Sequence, residues 1–284
     1  MSSTKLFIWL QHILPQHFLS RLSGHLTNSD NTTLKNLLIK SAIKKFKISL
    51  DEAVEENPKA YPTFNDFFTR KLKNDARPIC DEPNSIISPA DGCASQFGKI
   101  TDGKLIQAKG KYFSLSDLLG GDQKTASLLQ NGSFMTIYLS PSDYHRVHLP
   151  FDAKLLKMTY IPGKLFSVNL DTANNIDDLF AINERVVCLF ETSFGLMPVV
   201  FVGALLVASI ITEWHGVVAP SYNLGMKTWS YENSPIPFKK GDDIGHFRFG
   251  STVVFGLPET CKLDEKLVIE QKVKMGEKVG EVKG

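Results

Sequence analysis

Apolar and polar positions recur along this chain with two different periods, and the change of period divides it. In the opening segment "KLFIWLQHILPQHFLSRL", Leu6, Phe7, Trp9, Leu10, Ile13, Leu14, Phe18, Leu19 and Leu22 crowd together almost without charge. Pro15 separates two short helices there, because a proline supplies no backbone donor to a helix interior. A further helix is predicted from about Thr33 to Phe46, with Leu34, Leu37, Leu38 and Ala42 on one side and Lys40, Lys44 and Lys47 on another. From about Asp51 the pattern changes. "YPTFNDFFTRKLKNDARPI" reads as a helix entry and then a loop closing at Arg77-Pro78. After Ser88 the chain becomes short strands separated by glycine turns, among them "SFMTIYLS", "KLLKMTYIPG", "RVVCLFETSFG", "MPVVFVGALLVASI" and "KLVIEQKV". "LSDLLGG" and "DDLFAIN" read as helical turns. No fixed-period repeat and no long alternation of helix and strand is present. The predicted class is α+β: a helical N-terminal region over residues 1–60, then a largely antiparallel β body over residues 61–284.

The helical region has two readings. Trp and Phe on an apolar face, joined to a lysine face, suit a membrane surface carrying anionic lipid. The other reading is a cap packed on the protein's own core.

The 284 residues are 43% hydrophobic and 22% charged, ordinary for a globular chain. A net charge of +2, with no basic stripe interleaved with aromatics, gives no expectation of a nucleic-acid partner. Cys80, Cys93, Cys188 and Cys261 are scattered without a CxxC pair, so neither a metal site nor a disulfide framework is expected. No signal-peptide pattern opens the chain. The longest apolar run, Leu196 to Ile211, is short for a bilayer span and contains Pro198 and Gly203. It reads as buried strands with a turn near Gly203.

Three segments carry side chains suited to chemistry. "GHFRFGSTVVFGLP", Gly245 to Pro258, reads as one strong strand interrupted by Gly250-Ser251, and a glycine inside a strand marks a bulge or a close backbone approach. "SPADG" holds Asp91, a residue equally at home in a plain tight turn. "SPSDYHRVHLP" holds His145 and His148, which an extended segment would point to opposite faces. Histidine suits proton transfer near neutral pH, though a lone one is more often a packing residue. Asp91, His148 and Ser251 could form a triad in which a held base activates the serine hydroxyl. Ser251 is not within G-x-S-x-G, which disfavours an α/β-hydrolase elbow.

Together, "FNDFFTRKLKNDARPI", "SPADG", "YHRVHLP", "NERVV" and "KGDDIGHFRFGST", in that order from Tyr61 to Pro258, resemble the phosphatidylserine decarboxylases. The family's usual Leu-Gly-Ser-Thr is here Phe249-Gly250-Ser251-Thr252, with an apolar residue kept at the first position. The resemblance implies self-cleavage at Gly250-Ser251. His148 would take the hydroxyl proton and Asp91 would hold His148. Acyl transfer, β-elimination and hydrolysis would leave a pyruvoyl group at position 251 as covalent cofactor. That group would form a Schiff base with phosphatidylserine and release carbon dioxide, giving phosphatidylethanolamine. His145 is assigned to the decarboxylation step, as proton donor or substrate contact. The products of cleavage would be a large β chain, 1–250, and a small α chain, 251–284, forming a heterodimer that dimerises further. A lipid substrate favours the membrane reading of the N-terminus, hence a peripheral enzyme on the cytoplasmic side of the cell membrane. Lys40, Lys44 and Lys47 would face the anionic lipid.

Three alternatives predict different behaviour. A serine hydrolase would keep Ser251 intact. A non-enzymatic membrane-associated β module would not be cut. A pyruvoyl decarboxylase of a soluble amino acid would have no use for the apolar N-terminus.

Overall fold

A computed structural model describes residues 3–205, 209–220, 225–248 and 251–283. Four helices precede the β body: α1 (Ser3–Ile13), α2 (Gln16–Thr27), α3 (Thr32–Phe46) and α4 (Phe64–Phe68). As expected, Pro15 stands between α1 and α2. Thr63 and Asp66 close the start of α4 with a capping box, each side chain taking the other's backbone N–H.

The β body is antiparallel throughout its two larger sheets. The first runs Lys227–Ser230, Ala153–Ile161, Arg185–Thr192, Gly195–Val202, Ser251–Leu257, Ser133–Leu139, Gly92–Lys99 and Lys272–Val273, with Ile236–Phe238 also pairing Ala153–Ile161. The second runs Gly216–Ala219, Ile210–Thr212, Asp243–Phe247 and Arg146–His148. Every residue of Ser251–Leu257 is buried, because it lies between two neighbours and under the other layer. Leu196 to Ile211 supplies Gly195–Val202 and Ile210–Thr212, as buried strands were expected to; residues 206–208 of that run lie outside the described ones.

Three expectations change. "GHFRFGSTVVFGLP" is not one interrupted strand: Asp243–Phe247 belongs to the small sheet and Ser251–Leu257 to the large one, so the chain changes sheets between Phe247 and Ser251. Alternation alone does not reveal such a change, because both strands keep period two on each side of it. "KLVIEQKV" forms only the two-residue strand Lys272–Val273, since Val268 and Ile269 lie exposed in turns. In α3 the expected side is inward only in part: Ala42 is buried and Leu38 packs on the same cluster, but Leu37 is exposed, and Lys35 and Ile39 turn inward as well. Lys35 is tolerated inside because its ammonium donates to the Lys59 carbonyl at 2.8 Å.

The helices meet the body in an unusual sense. Gln11 and Gln16 are buried, and their side-chain oxygens accept from the backbone N–H groups of Ser167 and Leu165, each at 2.7 Å. Trp9, Ile13, Phe18 and Leu22 are exposed. The amides dock inward on the body, where Ile8 also packs, while the larger apolar side chains of α1 and α2 point outward. Among the described residues no helix is long and apolar enough to cross a membrane. A separate apolar cluster of Ile39, Ala42, Ile48, Tyr61, Phe64, Phe67 and Phe68 joins α3 to α4, across residue 60.

Candidate active site

The site forms where the strand Ser133–Leu139 ends. Beyond Leu139 a tight turn is fastened by Asp143, whose carboxylate accepts from the Ser140 N–H and hydroxyl, both at 2.7 Å. This turn delivers His145 into the interior. Its Nε2–H donates to the Ser140 carbonyl at 3.0 Å, which leaves the lone pair on Nδ1. Nδ1 is buried without a partner among the described residues. The ring stacks on Phe68 of α4 at 4.1 Å. Complete burial pushes the imidazole pKa down to about 3, so His145 is neutral at physiological pH.

Ser251 opens its strand opposite Leu139, the residue just before Ser140. Phe247, at the end of the preceding strand, donates its N–H to the His145 carbonyl at 3.1 Å. The register therefore brings His145 and Ser251 to the same strand end. The Ser251 hydroxyl is fully buried and has no hydrogen-bond partner among the described residues. A buried hydroxyl without a partner forfeits a hydrogen bond it would make in water, so its retention calls for an explanation. Phe249 and Gly250, and with them the expected role of the glycine, lie outside the described residues.

His148, in the strand Arg146–His148, takes partners different from those of His145. Its Nδ1–H donates to the Gly241 carbonyl at 2.8 Å, and its Nε2 accepts from the Tyr144 hydroxyl at 3.0 Å. Burial, reinforced by the Asp243 carboxylate, pushes the Tyr144 phenol upward, so it stays a neutral donor. Asp91 does not hold His148 here. It is clamped by Arg77, with Nε at 2.8 Å from Oδ1 and Nη2 at 2.5 Å from Oδ2, and it also accepts the Met275 N–H at 2.9 Å. A planar guanidinium matches both carboxylate oxygens, which an imidazole cannot do. The orienting of His148 falls instead to a main-chain carbonyl. Gly92, next to Asp91, is required by space: a Cβ there would lie 2.5 Å from the Tyr138 carbonyl oxygen.

Asp91 and Tyr144 border an open cleft of about 630 Å³, whose other walls include Arg70, Arg77, Ser142 and Lys272. Sequence reasoning found His145, His148, Asp91 and Ser251 but missed Phe68, Arg70, Arg77 and Tyr144. All four lie in the quoted segments "FNDFFTRKLKNDARPI" and "YHRVHLP", where nothing local separates a site residue from a packing one.

An α+β chain with a buried serine at the head of a central strand, without a hydrogen-bond partner among the described residues, and two buried histidines with separate partners is defined as a class by comparison with known sequences. The family described as phosphatidylserine decarboxylase matches residues 64–281, and one described as PSD matches residues 6–47. The chain belongs to the phosphatidylserine decarboxylase family. A phosphatidylserine decarboxylase proenzyme of Francisella philomiragia is 56% identical over 256 residues, covering 89% of this chain and 90% of its own length. Proenzymes of the same description from Francisella tularensis subsp. holarctica and subsp. novicida are each 56% identical over 251 residues, covering 88% of this chain and 87% of theirs.

Proposed function

We propose that this chain is a proenzyme that cuts itself at Gly250-Ser251 and then decarboxylates phosphatidylserine to phosphatidylethanolamine. The observation that carries the proposal is the Ser251 hydroxyl, buried and without a partner among the described residues, at the first position of a central strand. Its proposed attack is on the Gly250 carbonyl carbon. The peptide C–N bond breaks as the ester C–O bond forms, and the amine of Ser251 is released. Elimination then returns the Gly250 carboxylate, and water converts the remaining dehydroalanine to a pyruvoyl group and ammonia. The residues present fit such a group, since Ser251 is fully buried and no side chain among the described residues competes for its oxygen. A pyruvoyl group supplies an electron sink for loss of carbon dioxide.

For the processing step we assign His148 as base. The Gly241 carbonyl fixes its tautomer, so Nε2 keeps the lone pair, which rests on Tyr144. Asp91 contributes negative charge from its place on Arg77. One observation favours a second reading: the free lone pair at Ser251's strand end belongs to His145 Nδ1. In the mature enzyme His145, held neutral by burial, serves as a substrate contact rather than as an imidazolium donor.

The proposed large and small chains stay joined for a plain reason. Ser251–Leu257 is hydrogen-bonded on both edges by strands of the large chain, and Cys261–Leu263 and Lys278–Val282 complete a further sheet with Ser85–Ile87. Further dimerisation belongs to the same proposal. So does peripheral attachment to the cytoplasmic side of the cell membrane, with the outward apolar residues of α1 and α2 in the lipid and the exposed Lys40, Lys44 and Lys47 toward anionic head groups.

Intact mass of the purified protein tests the processing. The expected result is two chains, residues 1–250 and 251–284, the smaller lighter by one ammonia than a serine-started fragment. A single uncut chain that releases carbon dioxide from phosphatidylserine would overturn the proposal.

A further inference from the structure

Three of the arginines near the site are visibly committed. Arg77 holds Asp91 and Glu52, Arg146 holds Asp243 and Glu213, and Arg185 donates to the carbonyls of Asp117, Leu118 and Asn183. Arg70 is different. It is 6% exposed, and among the described residues its buried Nε and Nη1 have no hydrogen-bond partner. Among the same residues its one hydrogen bond is a long one, from Nη2 to the Ser142 carbonyl at 3.5 Å. The guanidinium lies 5.8 Å from the Phe67 ring centroid, packed against α4, and borders the cleft shared with Asp91 and Tyr144. The other acids bordering that cleft are engaged elsewhere: Glu52 and Asp91 by Arg77, Asp143 by Lys272, and Asp51 by the Ser49 hydroxyl. A charge buried without a counter-charge is costly, and a rigid fork of free N–H donors matches a tetrahedral or planar anion. Lys272 and Lys274, which border the same cleft, are paired with Asp143 and Glu52, whereas Lys47, also on its border, adds positive charge to that of Arg70.

We infer that Arg70 is the residue that binds the phosphodiester of the phospholipid head group and so positions the substrate. This rests on the proposed decarboxylase function and names a determinant of it. The substrate carries two anions, and the reaction chooses between them. A cation on the carboxylate would stabilise the ground state more than the transition state, because that charge leaves as carbon dioxide forms. The phosphodiester keeps its charge throughout, so Arg70 on it strengthens binding uniformly and leaves the chemical step alone. The neighbourhood agrees: Arg70 packs on Phe67 of α4, and the His145 ring stacks on Phe68, the next residue of the same helix.

The test uses Arg70→Gln and Arg70→Lys in the full chain, with dioctanoyl phosphatidylserine as substrate and dioctanoyl phosphatidylethanolamine as inhibitor. The inhibitor keeps the phosphodiester and lacks the carboxylate. R70Q is expected to cleave itself fully, to raise KM about 30-fold, to weaken inhibition by a similar factor, and to keep kcat within about threefold, as the loss of a charge-assisted pair would. R70K should fall between. Should R70Q fail to fold, R70K carries the comparison, with an expected rise of about tenfold. An unchanged KM would overturn the inference. So would a raised KM with unchanged inhibition, which would assign Arg70 to the carboxylate. Loss of self-cleavage in both variants at unchanged melting temperature would assign it to maturation and overturn it equally. Absence of carbon dioxide release by the parent protein would sink the proposed function itself, and affinity for the phosphatidylethanolamine would still report on Arg70.

Discussion

Replacing Trp9 and Phe18 together by serine tests the outward apolar surface of α1 and α2. Trp9 is 53% exposed and Phe18 64% exposed. An aromatic side chain carries roughly 150–250 Å² of surface, so about 100–130 Å² of each is open to a partner. At about 25 cal/mol per Å², complete transfer to an apolar phase is worth about 3 kcal/mol for each ring. Helices lying in the interface bury only a fraction of their apolar face, and taking half gives about 3 kcal/mol for the pair. That converts to a fall in vesicle partitioning of about 100-fold. Stability should change by less than about 0.5 kcal/mol, because neither side chain belongs to the core. The assay is cosedimentation with phosphatidylglycerol vesicles, which present anionic lipid that the enzyme does not consume. Self-cleavage, read by intact mass, serves as the folding control. Partitioning within twofold of the parent, with cleavage intact, would refute the reasoning and leave those side chains for another partner.

Ser251→Ala should yield one uncut chain without decarboxylase activity, seen by mass and by carbon dioxide release; activity in that variant would exclude the pyruvoyl reading. His148→Asn and His145→Asn separate the two candidate bases: the variant that remains uncut on a denaturing gel identifies the base, and normal cutting by His148→Asn would transfer the role to His145. In a Ser251→Ala background, stability should fall as pH drops below about 6.5. His145 and His246 are held by burial near 3 and 4 when folded, whereas the unfolded chain takes up their protons at about 6.5. The sign is that of a proton bound only by the unfolded state, and the slope is about 1.4 kcal/mol per pH unit for each histidine. Urea midpoints at pH 7.5 and 5 measure it, and His145→Asn should remove about half of the loss; an unchanged slope would contradict the burial argument. Asp91→Asn strips a buried guanidinium of its clamp and should cost about 3 kcal/mol in the same urea assay, with a cost under 1 kcal/mol contradicting the ion pair's structural role.

The sequence by itself determined what depends on local spacing. Pro15 had to separate the first helix from the second, and the glycine-punctuated runs after Ser88, "KLVIEQKV" largely apart, had to be strands. The motif set also determined the family, because five short segments in order carry more information than any single one. What the sequence did not contain was partner choice. Asp91 looked free to hold His148, yet Arg77, fourteen residues earlier, takes it with a geometry no local pattern encodes. The periodicity that built one strand through Gly250-Ser251 in fact served two sheets, since alternation records the face a residue occupies and not the sheet it joins. The helical pattern of α1 showed an apolar side but not its direction. Only the docking of Gln11 and Gln16 onto main-chain donors decided that the apolar side faces out, because hydrogen bonds between segments some 150 residues apart follow from the folded surfaces alone.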